Sequence, residues 1–215
     1  MQEGRLAEQN LIRAPKQDRS QRTMDRIIDA TLKLLDERDY DSITIADIAR
    51  TAKTGTSSIY ARFKDKRAIL LASHQAVRAR AVVRFEALCD PDRWVPHPLQ
   101  TAIESIIEGL FHWYRDNHNV MKAALQLNDE MVYGEIALSL HAGVVRLSHL
   151  LQDRVPGLDR RASLHVANRI LRITSATFQQ MAIFGEMQPT AEKMTDAELV
   201  ESLVRSAMAQ LEPPA

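Results

Sequence analysis

The segment from Thr44 to Lys66, TIADIARTAKTGTSSIYARFKDK, constrains this 215-residue chain more than any other. A short helix that opens with a capping-box spacing at Thr44 is followed by a break at residues 53–55 and a second short helix. Ile59 and Phe63 lie four residues apart and share one face of that second helix, whose other side is polar. This arrangement predicts a helix-turn-helix whose second helix has the size to enter the major groove of DNA.

The rest of the chain has the pattern of an all-α protein. Its 7 glycines and 8 prolines are few for its length and cluster at breaks, and no stretch alternates apolar and polar residues as a half-buried strand does. The predicted helices cover residues 20–37, 44 to the break at 53, 56–63, 65–88, 98–116, 118–127, 129–154, 159–186 and 195–211.

Several classes of protein are disfavoured by what the sequence lacks. Cys89 is the only cysteine, so the chain has no intrachain disulfide and no thiol cluster for zinc. The seven histidines do not have the spacing of metal ligands, and we expect no metal and no cofactor. The first residues contain no apolar signal-peptide core, and no window is apolar enough to span a membrane. We therefore expect a cytoplasmic protein, although a lone cysteine suits a secreted chain nearly as well.

Charge is distributed unevenly along a chain whose formal net charge is zero. Residues 1–84 hold 17 lysines and arginines against 11 acidic residues, a net charge of +6, and the remainder carries −6. A basic front is suited to phosphate, although chance asymmetry would look the same. We expect a flexible arm over 1–19, a helix-turn-helix domain over 20–66 and a larger helical domain over 67–215.

Three short motifs give the front of the chain a family resemblance. They are Thr44-Ile45-x-x-Ile48-Ala49, Ile59-Tyr60-x-x-Phe63, and Lys66 followed by Ala68-Ile69-Leu70. Over about residues 20–72 the chain resembles the N-terminal domain of the TetR/AcrR family of transcriptional regulators. The resemblance implies a three-helix DNA-binding domain, a larger helical ligand-binding and dimerisation domain, and a homodimer on a palindromic operator. The chain departs from the family at the turn, which usually reads Gly-Val-Ser and here reads Lys53-Thr54-Gly55.

Candidate DNA contacts come from both the residues and the resemblance. The hydroxyls of Thr56, Ser57 and Tyr60 lie on a face that Ile59 does not share, and they can bond phosphates or base edges. Lys66 lies in the first turn of the next helix, where the dipole disfavours a cation and a bound phosphate would favour it. The resemblance implies contacts by Thr44, Thr56, Ser57, Ser58, Tyr60 and Lys66, and the altered turn suggests that Lys53 points at the DNA backbone. The alternatives are that Thr44 serves only as a cap and Tyr60 is an ordinary surface tyrosine.

The back half offers a candidate ligand pocket and a candidate dimer surface. Aromatic, methionine and histidine side chains on apolar helix faces predict a mostly apolar pocket, although any one of them is more often a plain core residue than a pocket residue. The pocket candidates are Phe111, His112, Tyr114, Met121, Leu125, Met131, His141 and Phe178. Apolar stripes on the last two helices predict a four-helix dimer interface, unless both stripes pack within the monomer. The interface candidates are Leu164, Leu171, Phe178, Leu199, Leu203 and Leu211.

These features together favour a DNA-binding regulator that responds to a small molecule, with repression the commoner mode in the family it resembles. Its expected partners are double-stranded DNA, an unidentified small-molecule effector and a second copy of itself, and not a membrane. An all-helical enzyme is disfavoured because the sequence has no phosphate-binding glycine loop, nucleophile elbow or zinc-helix motif. A helical protein-binding adaptor is the remaining alternative, but it would leave the hydroxyl face at residues 56–60 without a role.

Overall fold

The computed structural model describes residues 18–184 and 194–211, except for the side chains of residues 18 and 19. This part of the chain forms nine α-helices, which confirms the predicted all-α class. The helices are α1 Asp18–Glu37, α2 Ile45–Thr51, α3 Thr56–Tyr60, α4 Lys66–Leu88, α5 Leu99–Asp116, α6 His118–Gln126, α7 Glu130–Arg154, α8 Arg160–Phe184 and α9 Asp196–Ala209. Short 3₁₀ turns at Tyr40–Ser42 and Pro91–Trp94 follow α1 and α4. Residues 1–17, most of the predicted arm, lie outside the described residues.

The chain divides into two compact units. Among the described residues, the first comprises residues 18–78 and 119–133, and the second comprises residues 79–118, 134–184 and 194–211. The sequence predicts that the DNA-binding domain ends at residue 66. This domain boundary stays a prediction.

The first unit is built on side chains that the helical periodicity of α1 directs inward. Ile27 and Leu35 of α1 are almost fully buried, as are Ile48 of α2 and Ile59 of α3. The first half of α4 is buried nearly all round, with Ile69 completely inaccessible. Because α2 and α3 have few residues, their stability must come from this shared core and not from helix propensity.

The second unit packs α5 against α8 and α9. The rings of Phe111 and Tyr114 on α5 each lie 5.7 Å from the ring of Phe178 on α8. The end of α4 approaches α5 so closely that a Cβ on Gly109 would lie 2.6 Å from Leu88 Cδ1, and a larger residue there would displace Leu88. These contacts fill the space between the helices with side chains.

Two further features concern candidate partners. Within residues 18–184 and 194–211, none of the helices is both long enough and apolar enough to cross a membrane. The same residues contain no group of three His, Cys, Asp or Glu side chains arranged to hold a metal ion.

Candidate nucleic-acid interface

Helix α2 begins with a complete capping box. The Thr44 hydroxyl accepts a 3.1 Å hydrogen bond from the Asp47 amide, and the Asp47 carboxylate accepts bonds from the amide and hydroxyl of Thr44 at 3.0 and 2.7 Å. The hydrogen bonds from Thr44, with those from Arg50 and the charge of Arg38, lower the pKa of Asp47 to about 2. Since its proton goes to Asp47, the Thr44 hydroxyl would have to change partner to donate to a phosphate.

The turn between α2 and α3 is a Schellman motif centred on Lys53. The Lys53 amide donates to Arg50 O at 3.2 Å and the Thr54 amide to Ala49 O at 2.9 Å. Lys53 has a φ of 51°, a left-handed conformation that usually selects glycine. Gly55 instead forms the N-cap of α3 with a φ of −83°, which any residue can adopt. The turn is unusual because Lys53 has the left-handed conformation and the glycine lies two residues later, at position 55. The Lys53 side chain is exposed.

Helix α3 presents a polar face outward because Ile59 and, in the turn that follows, Phe63 are buried. Ile59 is 0% and Phe63 1% exposed, whereas Tyr60 is 53% exposed. Thr56 and Ser57 are also exposed, and Ser58 is partly so. The α-helix ends at Tyr60 and not at the predicted Phe63, because the next residues tighten into a turn in which Arg62 and Phe63 both donate to Ile59 O.

Arg62 fixes the end of α3 to the start of α1. Its guanidinium donates to Ser58 O at 2.8 Å and to Ser20 O at 3.3 Å. The sequence suggests only a nearby positive charge at this position. The structure gives Arg62 a positioning role, since it links α3 to a residue 42 positions earlier.

Lys66 holds the loop that precedes α2. Its ammonium donates to Tyr40 O at 2.9 Å and to Ile43 O at 3.0 Å, and it lies 4.1 Å from the centre of the Tyr40 ring. Burial, with the charges of Asp65 and Asp41, raises the pKa of Tyr40 to about 12. Two of the three ammonium protons are therefore used within the unit, and one is left for an external acceptor.

The seven predicted DNA contacts thus differ in what they can offer. Lys53, Thr56, Ser57 and Tyr60 are exposed, and no hydrogen bond within the described chain engages their side chains. The hydroxyl of Thr44 and the ammonium of Lys66 already bond within the unit. The four exposed residues are consequently the strongest candidates, and the whole set stays a prediction.

Residues 27–73, which include the helix-turn-helix, match the family model described as bacterial regulatory proteins of the tetR family. This segment is a TetR-family DNA-binding domain. Members of this family are DNA-binding transcriptional regulators and not enzymes, and this statement holds for the present chain. No curated protein matches the chain in sequence.

Solved structures of transcriptional regulators share the fold of the chain. A regulator from Mesorhizobium loti matches with a TM-score of 0.68 and 16% identity, covering 91% of this chain and 98% of that one. A regulator from Streptomyces coelicolor matches with a TM-score of 0.65 and 19% identity, covering 87% and 79%. FadR from Bacillus subtilis, solved with stearoyl-CoA, matches with a TM-score of 0.55 and 20% identity, covering 86% and 96%. At these identities the likeness concerns the fold alone.

The predicted pocket residues are distributed over both units. Met121 and Leu125 are buried and Met131 is half-buried in the first unit. In the second unit Phe111, Tyr114 and Phe178 pack on one another, and Gln179 donates a 3.4 Å hydrogen bond to the Tyr114 hydroxyl. His112 and His141 are exposed side chains and do not line the interior of that unit. The pocket therefore stays a prediction.

The predicted dimer residues are largely used within the monomer. Leu171, Phe178 and Leu203 are buried in the chain itself, while Leu164, Leu199 and Leu211 are half-buried. The large apolar residues that α8 does expose are Ile173 and Phe184, at 46% and 47%. The sequence prediction did not include them because they lie outside the regular apolar stripe of α8. Leu171 and Phe178 of that stripe are buried in the core of the monomer.

Proposed function

We propose that the protein is a transcriptional repressor that binds a palindromic operator as a homodimer and is released by a small, mostly apolar effector. The observation that carries the proposal is the exposed hydroxyl face of α3, supported by the complete burial of Ile59 and Phe63. A helix of this length has no stability of its own, so it is held in place to present that face.

Each exposed residue of α3 and its turn has a chemical role in this proposal. Thr56 and Ser57 have short side chains that allow the backbone to approach the groove and can bond base edges. Tyr60 and Lys53 extend further and bond phosphates, which positions the helix on the duplex. Bacterial DNA lies in the cytoplasm, so the protein would act there.

Two copies are needed to recognise an inverted repeat, because the α3 helix of one copy contacts only one half-site. A two-fold axis would place two α3 helices one or two DNA turns apart, which matches an inverted repeat. Exposed Ile173 and Phe184 on α8, with Met194 just before α9, support burial against another copy of the second unit.

Release requires an effector that binds one conformer better than the other. The fold is similar to that of FadR from Bacillus subtilis, which was solved with stearoyl-CoA. Stearoyl-CoA is therefore the first compound to test, and decanoate is a smaller apolar probe. An effector must favour a conformer in which the two α3 helices of the dimer have a different spacing. An effector that binds both conformers equally would leave the operator affinity unchanged.

Selection of binding sites from a random DNA library tests the core of the proposal. We expect an enriched inverted repeat, with binding that weakens steeply as salt rises. Replacement of the hydroxyls by Thr56→Val and Ser57→Ala should weaken binding to the selected site about tenfold or more. The control pair Thr101→Val and Ser202→Ala removes hydroxyls from α5 and α9 and should have no effect. Enrichment of no sequence, or binding that ignores salt, would refute DNA recognition by α3.

A reporter gene tests the sign of regulation. The selected site is placed between a promoter and the reporter in a host that expresses the protein. Repression predicts lower expression with the wild-type protein than with the Thr56→Val/Ser57→Ala variant, and recovery when the effector is added. Higher expression with the wild type would identify an activator.

A further inference from the structure

The first half of α8 carries a basic stripe within an otherwise acidic part of the chain. Residues 160–172 contain four arginines and no acidic residue. Arg161, His165, Arg169 and Arg172 fall within an arc of about 80° when successive residues turn by about 100°, and all four are exposed. In the part of the chain that the structure describes, none of these arginines forms an ion pair. Like charges spaced in this way repel one another, so the stripe favours an anionic partner.

The start of α9 carries the opposite charge. Residues 194–204 contain Asp196, Glu198 and Glu201 and no lysine or arginine. The side chains of Asp196 and Glu201 are 62% and 70% exposed. Each acid has one local contact, namely Arg115 at 3.9 Å for Asp196, the Thr195 cap for Glu198, and Arg205 at 2.6 Å for Glu201. A carboxylate has more acceptor positions than these contacts use.

Within the described part of one chain, no ion pair joins the two charged segments. Tyr114 contacts Phe178, and the next residue on α5, Arg115, approaches Asp196, so the start of α9 lies near the level of Phe178. Arg169 and Arg161 precede Phe178 by about 14 and about 26 Å along α8, at about 1.5 Å per residue. Asp196 is therefore too far from Arg161 and Arg169 to neutralise them.

We infer that the basic stripe of α8 docks onto the acidic start of α9 in a second copy of this chain, and that this charge pairing sets the register of the dimer. The inference rests on the homodimer proposed above and deepens it. A two-fold axis perpendicular to the helices brings the start of α8 beside the start of the other copy's α9. An isologous interface makes this contact twice.

Apolar side chains beside the stripe supply the burial that the charges need. Ile173 and Phe184 extend the exposed face of α8 toward its C-terminal end and are 46% and 47% exposed. Solvated ion pairs add little affinity, but they steer association and penalise registers that place like charges together. The apolar residues thus favour association, and the charges select one orientation.

Charge reversal in the full-length protein tests the pairing. Variant R161E/R169E reverses the stripe, and variant D196K/E201K reverses the acidic segment while leaving the capping residue Glu198 intact. The control R84E/R93E makes the same net charge change as R161E/R169E, on two exposed arginines elsewhere in the second unit. Dimer dissociation constants are measured by sedimentation equilibrium at about 50 mM and about 500 mM NaCl, since screening weakens the pairing. Helical content is checked by circular dichroism.

We expect each reversed variant to dissociate at least about tenfold more readily than the wild type, because like charges then face each other twice. Combining all four substitutions in one chain should restore the wild-type constant, and mixing the two reversed variants should yield heterodimers. The control should dimerise as the wild type does. The pairing would be overturned if the reversed variants dimerise as the wild type does. It would also be overturned if the variant with all four substitutions does not regain the wild-type dissociation constant.

The same measurements separate this inference from the proposed homodimer. A wild type that remains monomeric at every concentration removes the homodimer and the pairing together. A wild-type dimer that R161E/R169E leaves intact while DNA affinity falls would assign the stripe to nucleic acid and overturn the pairing alone.

Discussion

The ammonium nitrogen of Lys66 lies 2.9 Å from the carbonyl oxygen of Tyr40 and 4.1 Å from the centre of the Tyr40 ring. A cation in the first turn of a helix is disfavoured by the helix dipole. Here two carbonyl oxygens and an aromatic face offset that cost, and Asp65 caps the helix by accepting a 2.7 Å hydrogen bond from the Ala68 amide. Lys66 therefore fixes the loop before α2 to the start of α4.

Lys66→Met should destabilise the protein whether or not DNA is present. It keeps the length of the side chain but removes two hydrogen bonds to carbonyls and the contact with the Tyr40 ring. We expect the free energy of unfolding to fall by about 1–3 kcal/mol. Chemical denaturation measures the change, with Lys64→Met as the exposed control. Unchanged stability combined with a loss of DNA affinity would show that Lys66 serves DNA binding alone.

Tyr60→Phe should weaken operator binding without changing stability. Tyr60 is 53% exposed, and its hydroxyl has no partner within the described chain. Loss of a bond to phosphate is expected to cost about 1–2 kcal/mol, roughly five- to thirtyfold in affinity. Fluorescence anisotropy on the selected site measures the change. Tyr133→Phe, which alters another exposed tyrosine, is the control, and equal effects of both substitutions would argue against a specific role for Tyr60.

Lys53→Gly should separate stability from DNA affinity. Glycine relieves the left-handed strain at φ 51°, so we expect the protein to become about 0.5–1 kcal/mol more stable. Loss of the ammonium removes one phosphate contact and should reduce the salt dependence of DNA binding by one ion. Lys53→Ala keeps the strain and removes the charge, so it should lower DNA affinity equally without stabilising. If both variants bind as the wild type does, Lys53 does not contact the backbone.

The parts of the structure that the sequence predicts well rest on local interactions. The capping box at Thr44 and Asp47 forms as expected, and the neighbouring Ile43 and Ile48 are both buried. Most helix bounds agree with the periodicity to within two residues. Such features depend on residues three to five positions apart, which the sequence displays directly.

Distant contacts explain what the sequence could not provide. Lys66 reaches carbonyls 23 and 26 residues away, and Arg62 reaches Ser20 across 42 residues. No spacing rule identifies such partners. The sequence therefore does not distinguish a lysine that forms hydrogen bonds within the protein from one that is exposed to solvent. Apolar stripes are ambiguous for a related reason, because burial in the monomer and burial in a dimer need the same residues. Leu171 and Leu203 are buried in the monomer, although both were predicted at the interface.

Because of His74, the free energy of unfolding should decrease as the pH falls from 6.5 toward 3. Its side chain on α4 is 1% exposed, and its Nε2 has no hydrogen-bond partner in the described part of the protein. Burial, reinforced by the charge of Arg78, lowers the pKa of His74 from 6.5 to about 3. The unfolded chain takes up a proton below pH 6.5 that the folded protein does not bind until near pH 3. Its contribution to stability is therefore complete above pH 6.5 and declines as the pH falls toward 3.

His74→Leu removes this titration and should flatten the dependence of stability on pH within that window. One proton taken up on unfolding corresponds to a slope of about 1.4 kcal/mol per pH unit. Urea denaturation at several values between pH 6.5 and pH 4 measures the slope for each protein. His149→Leu makes the same substitution at an exposed position and is the control for the loss of an imidazole. Equal slopes for His74→Leu and the wild type would mean that the buried imidazole takes up its proton without unfolding.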